Sequence, residues 1–377
     1  MSESQHRYIP ISNQTGPQLR PVSVDLGQAF RPGQQLDRLG RELRDLRISV
    51  IDQCNMRCGY CMPREVFHKD YVYLARDELL SFDEIHRVAS AFALLGTRKI
   101  RITGGEPLLR KGLEDLISQL SSIQTIEGGP IELALTTNGL LLANKAAGLA
   151  KAGLQRVTVS LDALTPGTFH EMADIDSATP EDVIRGIEAS ISAGLRVKAN
   201  MVVQRGRNDT EILPMAKRFR ELGVTLRFIE FMDVGSSNGW AIEHVMPSSE
   251  VLERIHAEFP LERFGREIPS EVSERWRYSD GAGEIGFISS VTQPFCGDCS
   301  RARISAEGGL YTCLFATQGV DLRGFLRERT DDTMLSQAIA QIWARRSDRY
   351  SELRGEQTKK TRPNGSGPRV EMSYIGG

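Results

Sequence analysis

Long apolar runs are missing from this 377-residue chain. No window approaches the about 18 continuous apolar residues that span a bilayer, so no membrane segment is expected. The stretch Met1–Gly16 is polar, so a secretory signal is not expected either. An excess of one charge is also missing. Lys and Arg number 47 against 49 Asp and Glu, a net charge of −2, which offers no general attraction to nucleic acid or acidic membranes. Histidine is scarce, six in all with none after His256, and His6, His86, His170, His244 and His256 take no role. No Walker loop, Ser-His-Asp order or paired-carboxylate signature stands out. What remains is ordinary for a globular protein, 40% hydrophobic and 25% charged. The length exceeds what one hydrophobic core fills, so two domains, or one with a large appendage, are expected.

Cysteine is sparse but ordered. All six fall into two triplets: Cys54, Cys58 and Cys61 as Cys-x3-Cys-x2-Cys, and Cys296, Cys299 and Cys313 as Cys-x2-Cys-x13-Cys. An odd number of thiols cannot pair off within a triplet. Three thiolates also fall one short of closing a tetrahedral metal site or of fully ligating a cubane cluster. Each triplet therefore suggests a metal centre with one open position. Clustered thiols without an export signal fit a reducing, cytoplasmic setting. A zinc site is the plain alternative for the first triplet, with His68 as fourth ligand; the second has no histidine near it.

Residues 1–36 lack periodicity and are expected to form a mobile tail. From Leu46 the chain alternates short β-rich runs with helical patterns. The strands predicted are Leu46–Ile51, Lys99–Thr103, Ile131–Thr136, Arg156–Leu161, Arg196–Val203 and Leu226–Met232. Ser81 with Glu84 forms a capping box, and Thr179-Pro180-Glu181-Asp182 puts a cap and an N1 proline at a second helix start. Gly96, Gly153, Gly194 and Gly223 follow helical runs at the expected C′ position. Six strands with intervening helices predict an α/β fold with a parallel sheet, a closed or nearly closed βα barrel, taken as an incomplete (βα)6 TIM-like barrel over residues 37–265. A C-terminal cluster-binding extension, 266–377, follows; Ser248–Ile255 reads as helix, Ile285–Val291 as strand and Gly355–Pro368 as flexible. Barrel chemistry gathers where strands end. The first triplet, Gly104-Gly105-Glu106-Pro107, Thr136-Thr137-Asn138-Gly139, Ser160 and Asp162, and Glu230 and Met232 all fall there. Convergence of these polar groups on one face is the main structural expectation.

The spacing of Cys54, Cys58 and Cys61 after a first strand, with Tyr60 before the last thiol, resembles the radical S-adenosylmethionine superfamily. Gly104-Gly105-Glu106-Pro107 resembles its GGEP motif. Both triplets together, Leu46–Val50, Lys99–Pro107, Leu135–Gly139, Val157–Asp162, Arg227–Gly235, Cys299-Ser300-Arg301-Ala302-Arg303 and the terminal Gly376-Gly377 resemble the molybdenum cofactor biosynthesis protein A family of GTP 3′,8-cyclases. The resemblance runs from about Asp37 to the end. One departure is Ile51-Asp52-Gln53-Cys54, where family members commonly read Thr-Asp-Arg-Cys. It removes a hydroxyl and a positive charge beside the first triplet.

The resemblance implies two [4Fe–4S] clusters and S-adenosylmethionine as cofactors. Cys54, Cys58 and Cys61 would hold the cluster that cleaves S-adenosylmethionine, with Tyr60, Gly105, Ser160 and Met232 against that cofactor. Cys296, Cys299 and Cys313 would hold a cluster whose open iron takes the guanine base. Arg47, Arg101, Thr136, Lys198, Arg301 and Arg303 would bind GTP, and Gly376 and Gly377 would reach into the site. The implied reaction removes the C3′ hydrogen of GTP and joins C3′ to C8 of guanine. An electron donor protein and a downstream cyclic pyranopterin monophosphate synthase are the implied partners, with no nucleic acid or membrane, and a homodimer is left open.

Each role has a plainer reading. An arginine is usually salt-bridged at a surface, and a strand methionine usually fills a core. Lys198 and Arg101, however, sit on strands expected to face a barrel interior, where a charge needs a purpose. Two whole-protein alternatives remain: a peptide-acting radical enzyme with an acidic or apolar groove, and a zinc-stabilised binding module.

Overall fold

The computed structural model describes residues 19–22, 31–265, 271–327, 331–357 and 369–376. Among the described residues thirteen strands form one curled sheet. In chain order they are β1 (Leu19–Arg20), β2 (Asp45–Ser49), β3 (Lys99–Thr103), β4 (Glu132–Thr137), β5 (Arg156–Ser160), β6 (Arg196–Val203), β7 (Thr225–Glu230), β8 (Leu261–Gly265), β9 (Glu274–Tyr278), β10 (Glu284–Ile288), β11 (Arg301–Ile304), β12 (Gly309–Tyr311) and β13 (Gly319–Asp321). Strands β2 to β7 lie side by side in sequence order and all parallel, the six-stranded partial barrel expected.

Helices cover its outer face: α1 (Phe82–Leu94), α2 (Leu113–Ser121), α3 (Leu142–Lys151), α4 (Pro166–Ala173), α5 (Pro180–Ser192), α6 (Ile212–Glu221) and α7 (Ser248–Glu258). The capping boxes at Ser81/Glu84 and Thr179/Asp182 both form, each meeting orphan N–H groups at a helix start. Gly96, Gly153, Gly194 and Gly223 all take positive φ after their helices.

The two faces of the sheet differ. Leu46, Ile48, Ile100, Ile102, Leu226 and Phe228 point outward into the apolar core under the helices. Their alternates, Arg47, Arg101, Thr136, Thr158, Asn200 and Arg227, point inward around a cavity. A buried parallel sheet is normally apolar on both faces, so this polar lining marks the inside as a place for something other than side-chain packing.

The C-terminal part grips both open edges of the six strands. β10 runs parallel to β7 at one edge, and β11 runs parallel to β2 at the other. The chain between them, which carries Cys296 and Cys299, therefore crosses the seam. The expected division at 265/266 falls between paired strands, since β8 and β9 form an antiparallel ladder with Leu261 opposite Tyr278.

The expected mobile tail needs correction for the residues that are described. Leu19 and Arg20 pair with Gly319 and Val320, and the backbone N–H groups of Gly33 and Gln35 donate to the carbonyls of Leu94 and Leu95. Backbone pairing at a sheet edge and at a helix end leaves no periodicity signal in so short a run. The rest of 1–36 lies outside the described residues. Within Gly355–Pro368, also expected to be flexible, residues 355–357 continue the helix Tyr350–Gln357, and 358–368 lie outside the described residues.

Candidate active site

The first triplet sits on the loop that leaves β2, and all three cysteines are free thiols. Arg57 braces the loop: its guanidinium donates to the carbonyls of Cys54 at 2.7 Å, Met56 at 2.9 Å and Phe67 at 2.9 Å, and to the Tyr73 hydroxyl at 2.9 Å. The N–H groups of Cys61 and Met62 both donate to the Cys58 carbonyl. Burial raises the Cys54 thiol to about 11. Burial, Asp162 and the neighbouring Cys54 and Cys61 push Cys58 well up, and Cys61 is raised by burial and by Cys54. Burial, with Cys54 acting on both Cys58 and Cys61, disfavours bare thiolates here, so their ionisation would need a bound cation.

The turn after β3 lies against this loop. Gly105 N–H donates to the Ile51 carbonyl and Glu106 N–H to the Gln53 carbonyl, both at 2.8 Å. A Cβ on Gly105 would collide with the Gln53 carbonyl, so only glycine allows this approach. Glu106 is buried, and its carboxylate accepts from Leu108 N–H, Thr137 Oγ1 and Asn138 N–H. Burial raises it to about 7. Asn138 in turn points its amide at Asn55 Oδ1 and at Cys54 Sγ. Sequence reading assigned no role to Glu106 beyond its motif, and none to Asn138.

One cavity, about 1310 Å³ with its open mouth, joins most of the remaining candidates. Tyr60, Ser160 and Met232 line it, together with Cys296, Cys299 and Cys313 and with Arg47, Arg101, Thr136, Arg301 and Arg303; Cys54, Cys58 and Cys61 are not in its lining. Gly105 and Lys198 do not line it. Lys198 lies one pleat below the lining residue Asn200 on β6, where burial and the neighbouring Arg227 lower it to about 8. Tyr60 donates to Asp162 Oδ2 at 2.7 Å, and Val202 N–H donates to Oδ1 at 2.8 Å. Burial lifts that carboxyl to about 6.

The cavity's charge is concentrated. Arg303 on β11, Arg47 on β2 and Arg101 on β3 are register partners across three neighbouring strands. Like charges placed directly opposite destabilise a sheet. Burial, followed by Arg303, Arg301 and Arg101, drives Arg47 well below its usual value. Arg303 is lowered to about 10, mainly by burial and Arg301, and its buried Nε has no hydrogen-bond partner among the described residues. Arg227 reaches the same cavity, donates to Asn200 Oδ1 at 2.9 Å and is lowered to about 9 by burial and Arg101. Its alternation with Phe228 on an interior strand was the available signal, and sequence reading gave it no role.

The second triplet is set by a buried pairing that the motif does not show. Asp37 accepts from Arg41 Nε at 2.6 Å and Arg346 Nη1 at 3.2 Å. Arg41 donates to the Cys296 carbonyl at 2.8 Å, and Arg346 to the Cys299 carbonyl at 2.7 Å and Cys299 Sγ at 3.3 Å. Burial alone would raise the Cys299 thiol, yet Arg301 and Arg346 hold it down at about 6. Burial and Asp348 raise Cys313 to about 11. Among the described residues no three Cys, His, Asp or Glu side chains converge on a single-ion position.

The segment 369–376 reaches the same region, with Met372 lining the cavity. Gly376 presents its carbonyl to Arg47 Nη1 at 3.4 Å, and a Cβ there would collide with Thr103 on β3. Gly376 also takes φ +68°, so it is glycine for two reasons. Gly377 lies outside the described residues.

The partial barrel with a cysteine triplet after its first strand defines a radical SAM protein, and the Radical SAM superfamily pattern matches residues 48–219. A second pattern, Molybdenum Cofactor Synthesis C, matches 224–352. The chain is 50% identical over 361 residues to the GTP 3′,8-cyclase of Acidothermus cellulolyticus, covering 90% of this chain and 98% of that one. It is 44% identical over 347 residues to the Staphylococcus saprophyticus enzyme of the same name, covering 91% and 99%. Streptococcus suis SuiB bound to precursor peptide SuiA shares the fold, with TM-score 0.55, 13% identity, and coverage of 81% of this chain and 66% of that one. The chain belongs to the GTP 3′,8-cyclase family.

Proposed function

We propose that the cavity binds GTP between two [4Fe–4S] clusters and that the protein performs the radical SAM-dependent conversion of GTP to (8S)-3′,8-cyclo-7,8-dihydroguanosine 5′-triphosphate, the first step of molybdenum cofactor biosynthesis. The observation that carries this reading is the Arg303–Arg47–Arg101 row. A triphosphate brings close to four negative charges, and these buried arginines have too few carboxylates around them without it. Arg301 and Arg227 add two more planar forks suited to phosphate oxygens. The peptide-acting alternative asks for an acidic or apolar groove, and this wall is basic.

Cys54, Cys58 and Cys61 would hold the first cluster, and Cys296, Cys299 and Cys313 the second, its open iron facing the guanine. The ligands of a cube stand farther apart than those of one ion, which agrees with the absence of a single-ion position among the described residues. When bound, the first cluster and S-adenosylmethionine supply one-electron hydrogen abstraction. The chain's own part is placement. Tyr60, Ser160 and Met232 would orient the adenosyl ligand, and Gly105 would let the main chain approach its methionine end. Arg47, Arg101, Thr136, Lys198, Arg301 and Arg303 would fix the nucleotide so that C3′ faces the adenosyl ligand and C8 lies within reach of C3′. Gly376 and Gly377 would close the site against water. The reading includes a protein electron donor, a cyclic pyranopterin monophosphate synthase consuming the product, a cytoplasmic location and the division at 37–265 and 266–377. No helix among the described residues is long and apolar enough to cross a membrane.

The test is anaerobic incubation of the iron-loaded protein with reductant, S-adenosylmethionine and GTP. Deoxyadenosine and the cyclised nucleotide should form together and only with GTP. Deoxyadenosine release that ignores GTP overturns the reading, as does a colourless protein holding zinc.

A further inference from the structure

The segment 369–376 is fastened before it reaches the cavity. On leaving β7 the chain runs through Met232, which lines the cavity, into Asp233–Ser237. Glu371 lies across this loop: its Oε1 accepts from Ser236 N–H at 3.0 Å and its Oε2 from Ser237 Oγ at 2.9 Å. Arg369 N–H donates to Ser236 Oγ at 2.8 Å, and the Arg369 guanidinium donates to Asp233 Oδ2 at 3.0 Å, to the Asp233 carbonyl and to the Tyr350 hydroxyl. Asp233 is itself buried and ion-paired with Arg354 at 2.7 Å. Arg369 also stacks on Tyr350, 4.3 Å from the ring centre, and lies 5.8 Å from the ring centre of Phe315. Phe315 is tied to the second triplet, since its N–H donates to Cys313 Sγ at 3.5 Å. Beyond this knot, Val370 N–H donates to the Ala316 carbonyl, and Tyr374 donates to the buried Glu307.

Three parts with separate tasks thus meet at one point: the loop that presents Met232, the loop that carries Cys313, and the tail that delivers Gly376. We propose that Arg369 and Glu371 are positioning residues forming a clasp, which holds the C-terminal segment to the Asp233–Ser237 loop and so sets the depth at which Gly376 stands beside Arg47 and Thr103. The proposal rests on the GTP-cyclising reading for its consequence, but the clasp itself concerns only this chain. Four residues separate Glu371 from Gly376. A short tether fixed at one end raises the local concentration of the other end at its seat. With the tether loose, the tail samples positions outside the cavity and the closed site is populated only part of the time.

The test reads the tail directly. Amide hydrogen exchange is measured by mass spectrometry on the iron-loaded full chain, comparing wild type with Glu371→Ala and with Ser237→Ala, which removes one hydroxyl on the loop side. Exchange of 370–376 should quicken about tenfold in Glu371→Ala and less in Ser237→Ala, while β3 and β4 exchange as before. The double variant should be no faster than Glu371→Ala, because both act through one contact. GTP turnover should fall about tenfold, with KM for GTP changed less than about threefold, since the variant lowers the fraction closed rather than the nucleotide contacts. Unchanged exchange in 370–376 overturns the clasp whatever the activity. Faster exchange with undiminished turnover overturns its role in closing the site. If Glu371→Ala disturbs β3 and β4, Ser237→Ala decides: tail exchange equal to wild type then overturns the proposal. An enzyme that proves not to cyclise GTP leaves the exchange result intact, so the two readings fail separately.

Discussion

The two cysteine triplets are built in opposite ways: the second lines the central cavity, whereas on the loop of the first only Tyr60 does. The first lies on one loop, braced through backbone carbonyls, and the donors near its sulfurs, Met56 N–H and the Asn138 amide, are neutral. Its thiols are all raised by burial. The second is split between two segments, and its Cys299 lies in the field of Arg301 and Arg346. The difference assigns them different dependencies. At the first site Arg57 offsets the Cys54 sulfur only in part and burial outweighs it, so sulfur charge there would rely on the iron that the proposed cluster brings. Sulfur charge at the second is partly balanced by arginines that also line the cavity, so a cluster held there would be electrostatically tied to the proposed nucleotide.

The sharpest way to break this contrast is to remove one thiol from each side. Cys58→Ala should abolish deoxyadenosine formation, a loss on the order of 10³-fold or more, because the radical chemistry belongs to the bound cofactor. Cys313→Ala should keep the first cluster, its iron and some S-adenosylmethionine cleavage, and lose the cyclised product. Equal effects of the two variants on deoxyadenosine would show that the sites are not divided as proposed.

Arg303→Ala probes the shared cations. Truncating one partner of a buried charge contact costs about 2–4 kcal/mol, roughly 30- to 1000-fold in affinity, so the Kd for GTP should rise by that factor. The nucleotide-free protein should not melt lower, because the substitution removes a like charge opposite Arg47. A lower Tm without any change in Kd would mean that the row is structural.

Lys198 sharpens the same point through pH. Its ammonium is held down at about 8, so it carries its charge below that value and loses it above. Attraction for the triphosphate is present below pH 8 and lost as pH rises. Between pH 8 and 9 the wild type should lose up to about tenfold in GTP affinity that Lys198→Met, already weak, does not lose. Parallel pH profiles would remove Lys198 from the nucleotide site.

What was legible in sequence divides along the same line. The six strands, the Ser81/Glu84 capping box, the Thr179 cap with its N1 proline and the thiols with their flanking arginines lie in short runs whose period or spacing is local, and each was read from them. The buried Arg41–Asp37–Arg346 pairing was not: Arg41 is a near neighbour of Asp37, but Arg346 lies 309 residues from it and only the seam brings it to the pair. Arg227 alternates correctly on an interior strand but sits in a run that reads as core. Asp162 was placed at its strand end, yet its partner Tyr60 is 102 residues away and nothing local announces the bond.

That bond gives the smallest effect. Tyr60→Phe keeps the ring and removes the hydroxyl, leaving the buried Asp162 with the Val202 N–H as its remaining donor in the structure. Depriving a buried carboxylate of one hydrogen bond costs about 1–3 kcal/mol. Part of that falls on stability and part on the placement of Tyr60 in the cavity. The expectation is a Tm lowered by a few degrees and S-adenosylmethionine affinity reduced roughly fivefold. Because the penalty comes from an under-satisfied charge, Asp162→Asn in the Tyr60→Phe background should restore most of the Tm without restoring the affinity. If the second substitution adds its own full loss of Tm instead, Tyr60 and Asp162 are not acting as a pair, and the hydroxyl matters through the cofactor alone.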